Sequence, residues 1–226
     1  MTESRKTLKQ DTFGRIVLRD DHGVQSIERD ISVAPRWAQW LARRLAYREA
    51  RAIAALGRRS GYPMLLAVSD NQLVRSFVHG DPMHEGRPTT HAYFVSALRQ
   101  LRIMHRCGIA HNDLAKEPNW LVTPEGLAAI VDFQLATVHK KRGRIFRWLA
   151  REDLRHYLKH KRTYRPTHLT AREKKILATP ALSARIWRST GKRVYLFVTR
   201  KLLNWSDREG AGDRGRSDSR DKTHDD

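Results

Sequence analysis

Four polar side chains between positions 111 and 132 have the chemistry needed to act on a phosphate group. His111 and Asp113 are two positions apart, and Asn119 follows six positions after Asp113. Asp132 ends a later apolar run. A carboxylate can accept or orient the proton of a hydroxyl group, and carboxylate and amide oxygens are the hard ligands that Mg²⁺ prefers. The types of these residues therefore point to metal-assisted chemistry at a phosphate.

The residues between Asn119 and Asp132 predict a β-hairpin that brings these two side chains together. Two short apolar runs flank a turn that contains Pro124 and Gly126, residues suited to the first central position of a turn and to a positive φ. Asn119 enters the first strand where Asp132 leaves the second, and such positions are neighbours in an antiparallel pair. We therefore expect an amide oxygen and a carboxylate to converge on one cation, with Asp113 in the same loop.

The order of these residues resembles the catalytic core of the protein-kinase-like superfamily. Residues 111–114 read His-Asn-Asp-Leu where such enzymes carry H-R-D-L, Asn119 stands at their metal-binding Asn, and residues 132–134 stand at their D-F-G. The resemblance implies that Asp113 accepts or orients the acceptor hydroxyl. It also implies that Asn119 and Asp132 hold the Mg²⁺ that bridges the phosphates of ATP.

Two departures from the family pattern lead to further expectations. Five residues separate Asp113 from Asn119 where the family has four, and a bulge at residues 116–118 would absorb the extra one. Gln134 stands in place of the family's Gly, which removes a flexible hinge. We therefore expect a metal-binding loop with less freedom to change conformation.

The same resemblance implies that part of the first 80 residues binds ATP. Gly14 lies in the turn that would cover the phosphates, where the family has the G-x-G-x-x-G loop and this turn has a single glycine. Residues 75–78 would form the strand and hinge that carry the adenine site. Backbone groups at Arg75 and Phe77 are the candidates for holding the adenine.

Arg29 and Glu49 are the residues that the resemblance places beside the phosphates. Arg29 occupies the position of the strand Lys that reaches the α and β phosphates. Glu49 is the single acid of the helix predicted next, where the family has the Glu that pairs with this Lys. The resemblance thus implies an Arg29–Glu49 pair, whereas the residues alone equally allow an ordinary ion pair of Glu49 with Arg48 or Arg51 within the helix.

Hydrophobic periodicity predicts two long helices before the hairpin. The first runs from Pro35 to Gly57, with an apolar stripe that begins at Trp37 and Trp40. The second runs from about Thr90 to Arg106 and delivers the chain into the polar loop. Further β-rich runs separated by turns predict strands within residues 7–31 and 65–80.

The positive charge of the chain is concentrated in one region. The formal net charge is +20 over 226 residues, and residues 139–203 alone hold 20 Lys and Arg against 3 Asp and Glu. Such a surface attracts polyanions, which include nucleic acid, anionic lipid headgroups and phosphorylated glycolipid. A solvated helical surface in an Arg-rich protein is the alternative explanation.

Cysteine usage and hydropathy argue against two classes of protein. Cys107 is the single cysteine, so an internal disulfide framework is excluded. No apolar stretch approaches the roughly 20 residues needed to cross a bilayer, and the first residues lack the apolar core of a signal peptide. We therefore expect a cytoplasmic protein without a transmembrane segment, with peripheral association at the inner face of the membrane as an accompanying hypothesis.

The region beyond the hairpin predicts further helices. They are expected over residues 145–160, from a capping box at Thr170 onward, and over residues 179–191, whereas residues 194–205 fit a strand or a helix. His156 and His160 are four positions apart, as in helical metal sites. Since no third ligand is near in the sequence, a solvated basic face is favoured over a metal site.

The predicted strands and helices indicate an α+β protein, and the resemblance implies a two-lobed protein-kinase-like fold. A small antiparallel-sheet N-lobe would span residues 1–80, a short and mostly helical C-lobe residues 81–205, and a disordered tail residues 206–226. The short, basic C-lobe is similar to those of the bacterial lipopolysaccharide-core kinases, which phosphorylate Kdo or heptose, and of the RIO-type atypical kinases.

The resemblance implies transfer of the γ-phosphoryl group of ATP to a hydroxyl group, with ATP and Mg²⁺ as cofactors. Asp113 and Lys116 are the candidate catalytic residues, Lys116 by neutralising the transferring group. A lipopolysaccharide-core-type sugar is favoured as acceptor, ahead of a protein Ser or Thr, because a basic face suits an anionic membrane glycolipid. The alternative is a pseudokinase or a basic RNA- or membrane-binding scaffold, which the replacement of Lys by Arg29 and the glycine-poor first turn would suit.

Overall fold

Alternating β-rich runs and tight turns at the start of the chain form an antiparallel sheet. The computed structural model describes residues 4–179, and five strands of its first part are ordered β1-β2-β3-β5-β4. The strands are Ser4–Asp11 (β1), Gly14–Asp21 (β2), Val24–Asp30 (β3), Leu65–Val68 (β4) and Gln72–Ser76 (β5). Gly23 has a φ of 85° in the β2–β3 turn, which glycine adopts without strain. The strands predicted in this part are confirmed, although the last one ends at Ser76.

One long helix, α1 (Arg36–Leu56), packs against this sheet. It begins after Pro35 and ends at Gly57, whose φ is 63°, as predicted. Small side chains line the face of α1 that meets the sheet. The cluster between helix and sheet consists of Ile31, Ala42, Ala46, Ala50 and Leu73.

The apolar stripe predicted for α1 is wrong in its first half. Trp37 is 57% exposed and Trp40 is 65% exposed. The sheet meets the alanine face of α1, and the spacing of the two indoles puts them on the opposite side. Alanine lets the helix lie close to the strands, whereas an indole on that face would hold them apart.

The chain then enters a mainly helical portion with its own core. Its first elements are β6 (Asp81–Pro82), α2 (Met83–Gly86), α3 (His91–Arg106) and β7 (Ile109–Ala110). The Thr90 hydroxyl accepts the Tyr93 N–H at 3.2 Å and caps α3, so the predicted helix is confirmed. Ile53 and Leu56 from the end of α1 join the core of this portion, and α1 therefore contributes to both cores.

The predicted hairpin is present as β8 (Trp120–Val122) and β9 (Ala128–Ile130). The two strands are antiparallel with Trp120 opposite Ile130, and Gly126 in the turn has a φ of 72°. On its other side β8 pairs with β6. The elements that flank the hairpin are two 3₁₀ turns, Glu117–Asn119 and Phe133–Leu135, and the strand β10 (Thr137–Val138), which pairs with β7.

Helix α4 (Arg144–Tyr164) packs against α3 and β7 and is longer than predicted. The solvated basic face expected at His156 and His160 is wrong. His160 is 6% exposed and its Nε2 donates to the Leu114 carbonyl at 2.8 Å, while burial lowers the pKa of His156 to about 4. Tertiary packing turns this side of α4 toward the core, where Tyr157 lies.

Helix α5 (Ala171–Ala178) starts with the predicted capping box, because the Thr170 hydroxyl accepts the Glu173 N–H and the Glu173 carboxylate accepts the Thr170 N–H. A 3₁₀ turn, Pro166–His168, precedes it. Residues 4–179 thus form an α+β fold with antiparallel sheets and several helices, and among them no helix has the length and apolarity to cross a membrane. The predictions for residues 180–226 fall outside the described residues; they concern segments 180–191 and 194–205 and the tail.

Candidate active site

Asp113 is fixed by two neighbours in its own loop. The Asn119 amide nitrogen donates to the Asp113 carbonyl oxygen at 2.9 Å and to its carboxylate Oδ2 at 3.1 Å. The Lys116 ammonium lies 2.9 Å from the same Oδ2. Both contacts engage Oδ2, and Oδ1 takes part in no hydrogen bond within residues 4–179. The carboxylate therefore has one anchored oxygen and one oxygen left to accept a proton.

The additional residue between Asp113 and Asn119 is taken up by a tight turn. Residues 117–119 form a 3₁₀ turn in which the Asn119 N–H donates to the Lys116 carbonyl at 3.3 Å. The predicted bulge thus has the form of a 3₁₀ turn. Asn119 still enters β8 with its side chain on Asp113.

Asp132 leaves β9 beside the point at which Asn119 enters β8. The Val131 N–H donates to the Asn119 carbonyl at 3.0 Å, so the two polar residues flank the same end of the hairpin. Asp132 has a φ of 64°. A positive φ is uncommon for a residue other than Gly, and residues that adopt it are often found at functional sites. The Gln134 amide donates to Asp132 Oδ1 at 2.8 Å and thereby restrains this carboxylate.

Asn119 and Asp132 form a donor set that suits Mg²⁺. Because Asp113 takes the amide nitrogen of Asn119, the amide oxygen is the group left for a cation. Mg²⁺ is commonly held by one or two carboxylates while phosphate oxygens and waters supply the remaining ligands. Within residues 4–179 no three His, Cys, Asp or Glu side chains are grouped to hold a metal by themselves. The chemistry of the two residues therefore fits a metal shared with a phosphate.

His111 has a structural position behind the loop. It is 0% exposed, its Nε2 donates to the Val131 carbonyl at 3.0 Å, and its ring centroid lies 4.8 Å from that of Phe133. Burial lowers the pKa of the imidazole, so the neutral form is favoured. His111 thus ties the loop of Asp113 to the strand that leads to Asp132.

Asp153 of α4 holds the same loop from the other side, and sequence reasoning did not single it out. Its carboxylate accepts the N–H groups of His111 at 2.8 Å and of Asn112 at 3.0 Å, and His105 Nε2 lies 3.2 Å away. The Asp153 side chain is 1% exposed, and a buried carboxylate needs such donors to remain charged. One signal was available in the sequence, because Asp153 is one of only three acids in residues 139–203.

Asn112 and Arg48 fix the segment that follows Asp132. Asn112 has a φ of 67° and its amide donates to the Leu135 carbonyl at 2.9 Å. Arg48 of α1 donates to the same carbonyl at 2.7 Å and to the Ala136 carbonyl at 3.3 Å. The segment is therefore attached both to the loop of the candidate base and to α1.

Glu49 pairs with Arg75 and not with Arg29, Arg48 or Arg51. The Arg75 Nε lies 3.1 Å from Glu49 Oε1, and the Glu49 side chain is 1% exposed. The expected Arg29–Glu49 ion pair is thus replaced by a pair to the neighbouring strand, β5. Glu49 lies on the buried side of α1, which directs its carboxylate toward the sheet and away from an intrahelical partner.

Arg29 nevertheless belongs to the same charged cluster. Burial is the largest influence on the Glu49 carboxyl and raises its pKa, Arg75 and then Arg29 lower it, and Asp132 raises it. Arg29 and Arg75 share one face of the sheet, since Arg29 is opposite Leu73, two positions from Arg75. Arg29 is 7% exposed, and its guanidinium makes no hydrogen bond or ion pair with the described part of the chain. It therefore retains hydrogen-bond donors for an anionic ligand in addition to its electrostatic influence on Glu49.

Gly14 is required by the sheet itself. It has a φ of 127°, and a Cβ at this position would overlap with the carbonyl oxygen of Asp30. Glycine is thus needed for the close approach of β2 to the end of β3. The packing accounts for this residue without a phosphate.

Part of the backbone expected to hold an adenine takes part in the sheet. Arg75 lies between Ile27 of β3 and Leu65 of β4, and the Phe77 N–H donates to the Gln25 carbonyl at 3.1 Å. The Phe77 N–H is therefore already engaged in the sheet, and an adenine site at residues 75–78 stays a prediction. Arg75 contributes its side chain to Glu49.

Comparison with known proteins adds no family to this description. No family model matches the sequence, and no curated protein matches it. The class of protein is therefore argued from the residues and geometry of the site.

Proposed function

We propose that this chain is an ATP- and Mg²⁺-dependent phosphotransferase with a two-lobed, protein-kinase-like fold, which transfers the γ-phosphoryl group of ATP to an acceptor hydroxyl. The observation that carries the proposal is the grouping of Asp113, Asn119 and Asp132 at one end of the β8–β9 hairpin. A five-stranded antiparallel sheet with one helix, followed by a mainly helical portion, is compatible with the two lobes.

Asn119 and Asp132 are the residues that would hold Mg²⁺, which supplies neutralisation of phosphate charge when bound. Gln134 keeps the Asp132 carboxylate in place. Arg29 presents its guanidinium to the phosphates, and its planar fork matches two phosphate oxygens at once. The Arg75–Glu49 pair holds α1 against the strands that carry both arginines.

Asp113 accepts or orients the proton of the acceptor hydroxyl in this proposal. Asn119 and Lys116 anchor its Oδ2, so Oδ1 is the atom that takes the hydroxyl hydrogen bond. Lys116 adds positive charge where the phosphoryl group is transferred. Asp153 fixes the backbone of the loop, and the base is therefore positioned before the substrate arrives.

The proposed acceptor is a hydroxyl group of a lipopolysaccharide-core-type sugar. The support is the surface at the start of α4, where basic residues surround Ile145, which is 69% exposed. The exposed basic residues are Lys140, Lys141, Arg142, Arg144, Arg147 and Arg151. Cationic groups beside an exposed apolar side chain suit a phosphorylated glycolipid at a membrane surface.

Thermal unfolding with ATP, in the presence and absence of Mg²⁺, tests the proposal. A ligand that binds only the folded state raises the Tm by mass action, so we expect a rise of several degrees with Mg·ATP and little change with ATP and a chelator. Formation of ADP that depends on added lipopolysaccharide core, and that is lost in Asp113→Asn, is the expected sign of transfer. No shift with Mg·ATP would favour a pseudokinase or a basic scaffold on this fold.

A further inference from the structure

The outer side of α1 carries a row of exposed aromatic and arginine side chains. Trp37, Trp40, Arg44, Tyr47 and Arg51 follow one another at spacings of three, four, three and four residues, so they lie along one side of the helix. Trp37 is 57% exposed, and Trp40 and Tyr47 are each 65% exposed. We name these five residues the α1 stripe.

The α1 stripe has no role in packing the helix onto the sheet. It lies opposite the alanine face, which makes that contact. Large aromatic side chains grouped on a surface mark an interaction site more often than single exposed apolar residues do. The grouping of two indoles and a phenol on one side of α1 therefore indicates a partner outside residues 4–179.

The charge of this side selects an anionic partner. The exposed residues of α1 include four arginines and no acid, and Glu49, the single acid of the helix, is buried on the other side. The exposed arginines are Arg36, Arg43, Arg44 and Arg51. Anionic lipid and nucleic acid both meet this requirement.

The shape of the surface favours lipid over nucleic acid. Proteins that stack bases commonly use a groove that follows the strand, whereas α1 presents its aromatic side chains outward from a convex rod. A helix that lies in the plane of a bilayer places Trp and Tyr at the level of the headgroups and Arg at the lipid phosphates. The α1 stripe has this combination along about four turns of one helix.

We propose that the α1 stripe docks on the surface of an anionic lipid bilayer. Trp37, Trp40 and Tyr47 enter the headgroup region, and Arg44 and Arg51 bind lipid phosphates. This surface is separate in sequence from the basic residues at the start of α4. Docking does not require the proposed transfer reaction, and it is measured without nucleotide so that the two proposals fail independently.

Sedimentation of the full chain with vesicles tests the docking surface. The vesicles are phosphatidylcholine with phosphatidylglycerol, or phosphatidylcholine alone, at about 0.15 M salt. The wild type should bind the anionic vesicles, and the double variant Trp37→Ala/Trp40→Ala should bind about tenfold or more weakly. Val95→Ala, which removes a 52% exposed apolar side chain from α3, should bind like the wild type. Unchanged melting temperatures would confirm that the variants remain folded.

Two outcomes of this experiment would overturn the proposal. One is equal binding of the wild type and the double variant. The other is a loss of binding in Trp148→Ala, on α4, while the double variant binds normally, because the membrane contact would then lie at the start of α4.

Tryptophan fluorescence gives a second, direct readout. Brominated lipid should quench the wild type, and most of this quenching should be absent in the double variant. In the free protein, iodide should reach Trp37 and Trp40; if it does not, another part of the chain or a second copy covers the α1 stripe and the proposal is wrong. It is equally wrong if RNA protects these two indoles from iodide and vesicles do not.

Discussion

The Nε of Arg75 lies 3.1 Å from Oε1 of Glu49, so the buried carboxylate of α1 is paired with β5 and not with β3. The Glu49 Oε2 is buried and has no hydrogen-bond partner in the described part of the chain. Arg75 is the larger of the two positive influences on the pKa of the Glu49 carboxyl, and Arg29, on the neighbouring strand, is the smaller one.

Arg75→Ala is expected to destabilise the protein by about 3 kcal/mol, because loss of one member of a buried pair leaves an uncompensated charge. Arg29→Ala should destabilise the protein less than Arg75→Ala, since Arg29 is the weaker electrostatic partner of Glu49. Arg15→Ala is the matched control: it breaks a more exposed pair with Asp30 on the same sheet and should cost less than about 1 kcal/mol. Urea unfolding measures the free energy of unfolding of all three variants. A larger decrease for Arg29→Ala than for Arg75→Ala would contradict the pairing of Glu49 with Arg75.

Gly14→Ala is expected to destabilise the protein more than Gly23→Ala. Both glycines have a positive φ, 127° at Gly14 and 85° at Gly23, so both variants are strained by about 1–3 kcal/mol, and Gly14 lies farther from the left-handed region that L-residues can adopt. Only at Gly14 does the added methyl overlap with the Asp30 carbonyl, whereas nothing lies near it at Gly23. The overlap should add about 1–3 kcal/mol. Equal shifts of the urea midpoint would show that the sheet does not need this close approach. The predicted position of Gly14 over the phosphates would then be the explanation for this glycine.

Asp153→Ala is expected to lower the kcat of the proposed transfer far more than it raises the KM for ATP. The N–H groups of His111 and Asn112 would lose their acceptor, so the loop of Asp113 would no longer be held in place. Asp153→Asn should retain part of the activity because its amide oxygen still accepts one N–H. Glu152→Ala, at the adjacent position, is the control. If kcat is unchanged in Asp153→Ala, measured below its melting temperature, the positioning role is excluded.

The burial of His156 predicts that the free energy of unfolding falls as the pH is lowered below about 6.5. Burial lowers the pKa of its imidazole to about 4 from the ordinary 6.5, and its Nδ1 has no partner in residues 4–179. Between these values the unfolded chain binds a proton that the folded chain does not, so the free energy of unfolding decreases as the pH falls and levels off below about 4. Thermal unfolding across this range should show a smaller pH dependence for His156→Gln. A variant that is as acid-sensitive as the wild type would disprove this origin.

The elements around the site could be predicted because their signals are local. Pro35, Gly57 and Thr90 act on the backbone within one turn of a helix end. The turn at Gly126 sets the β8–β9 hairpin, and that hairpin brings Asn119 and the end of β9 together. Sequence therefore sufficed for the order of the elements and for the side chains at the ends of this hairpin.

The contacts that sequence reasoning missed join distant segments. Asp153 contacts a loop that lies about forty residues earlier in the chain. Arg75 contacts α1, and in the sequence the strand β4 and a turn lie between the two. Nothing within a few residues of either side chain specifies its partner. The same holds for His160 and Trp37, since tertiary packing decides which face of an amphipathic helix is buried.

Binding of ATP to the variants Asp132→Asn and Asp113→Asn, with and without Mg²⁺, tests the central claim most directly. Asn tolerates the positive φ of position 132, so Asp132→Asn removes the charge and keeps the backbone. Calorimetric titration should show Mg²⁺-dependent ATP binding in the wild type, in Asp113→Asn and in the control Asp70→Asn, but not in Asp132→Asn, while Asp113→Asn transfers no phosphoryl group. Equal loss of Mg·ATP binding in Asp113→Asn and Asp132→Asn, or no loss in either, would contradict the account.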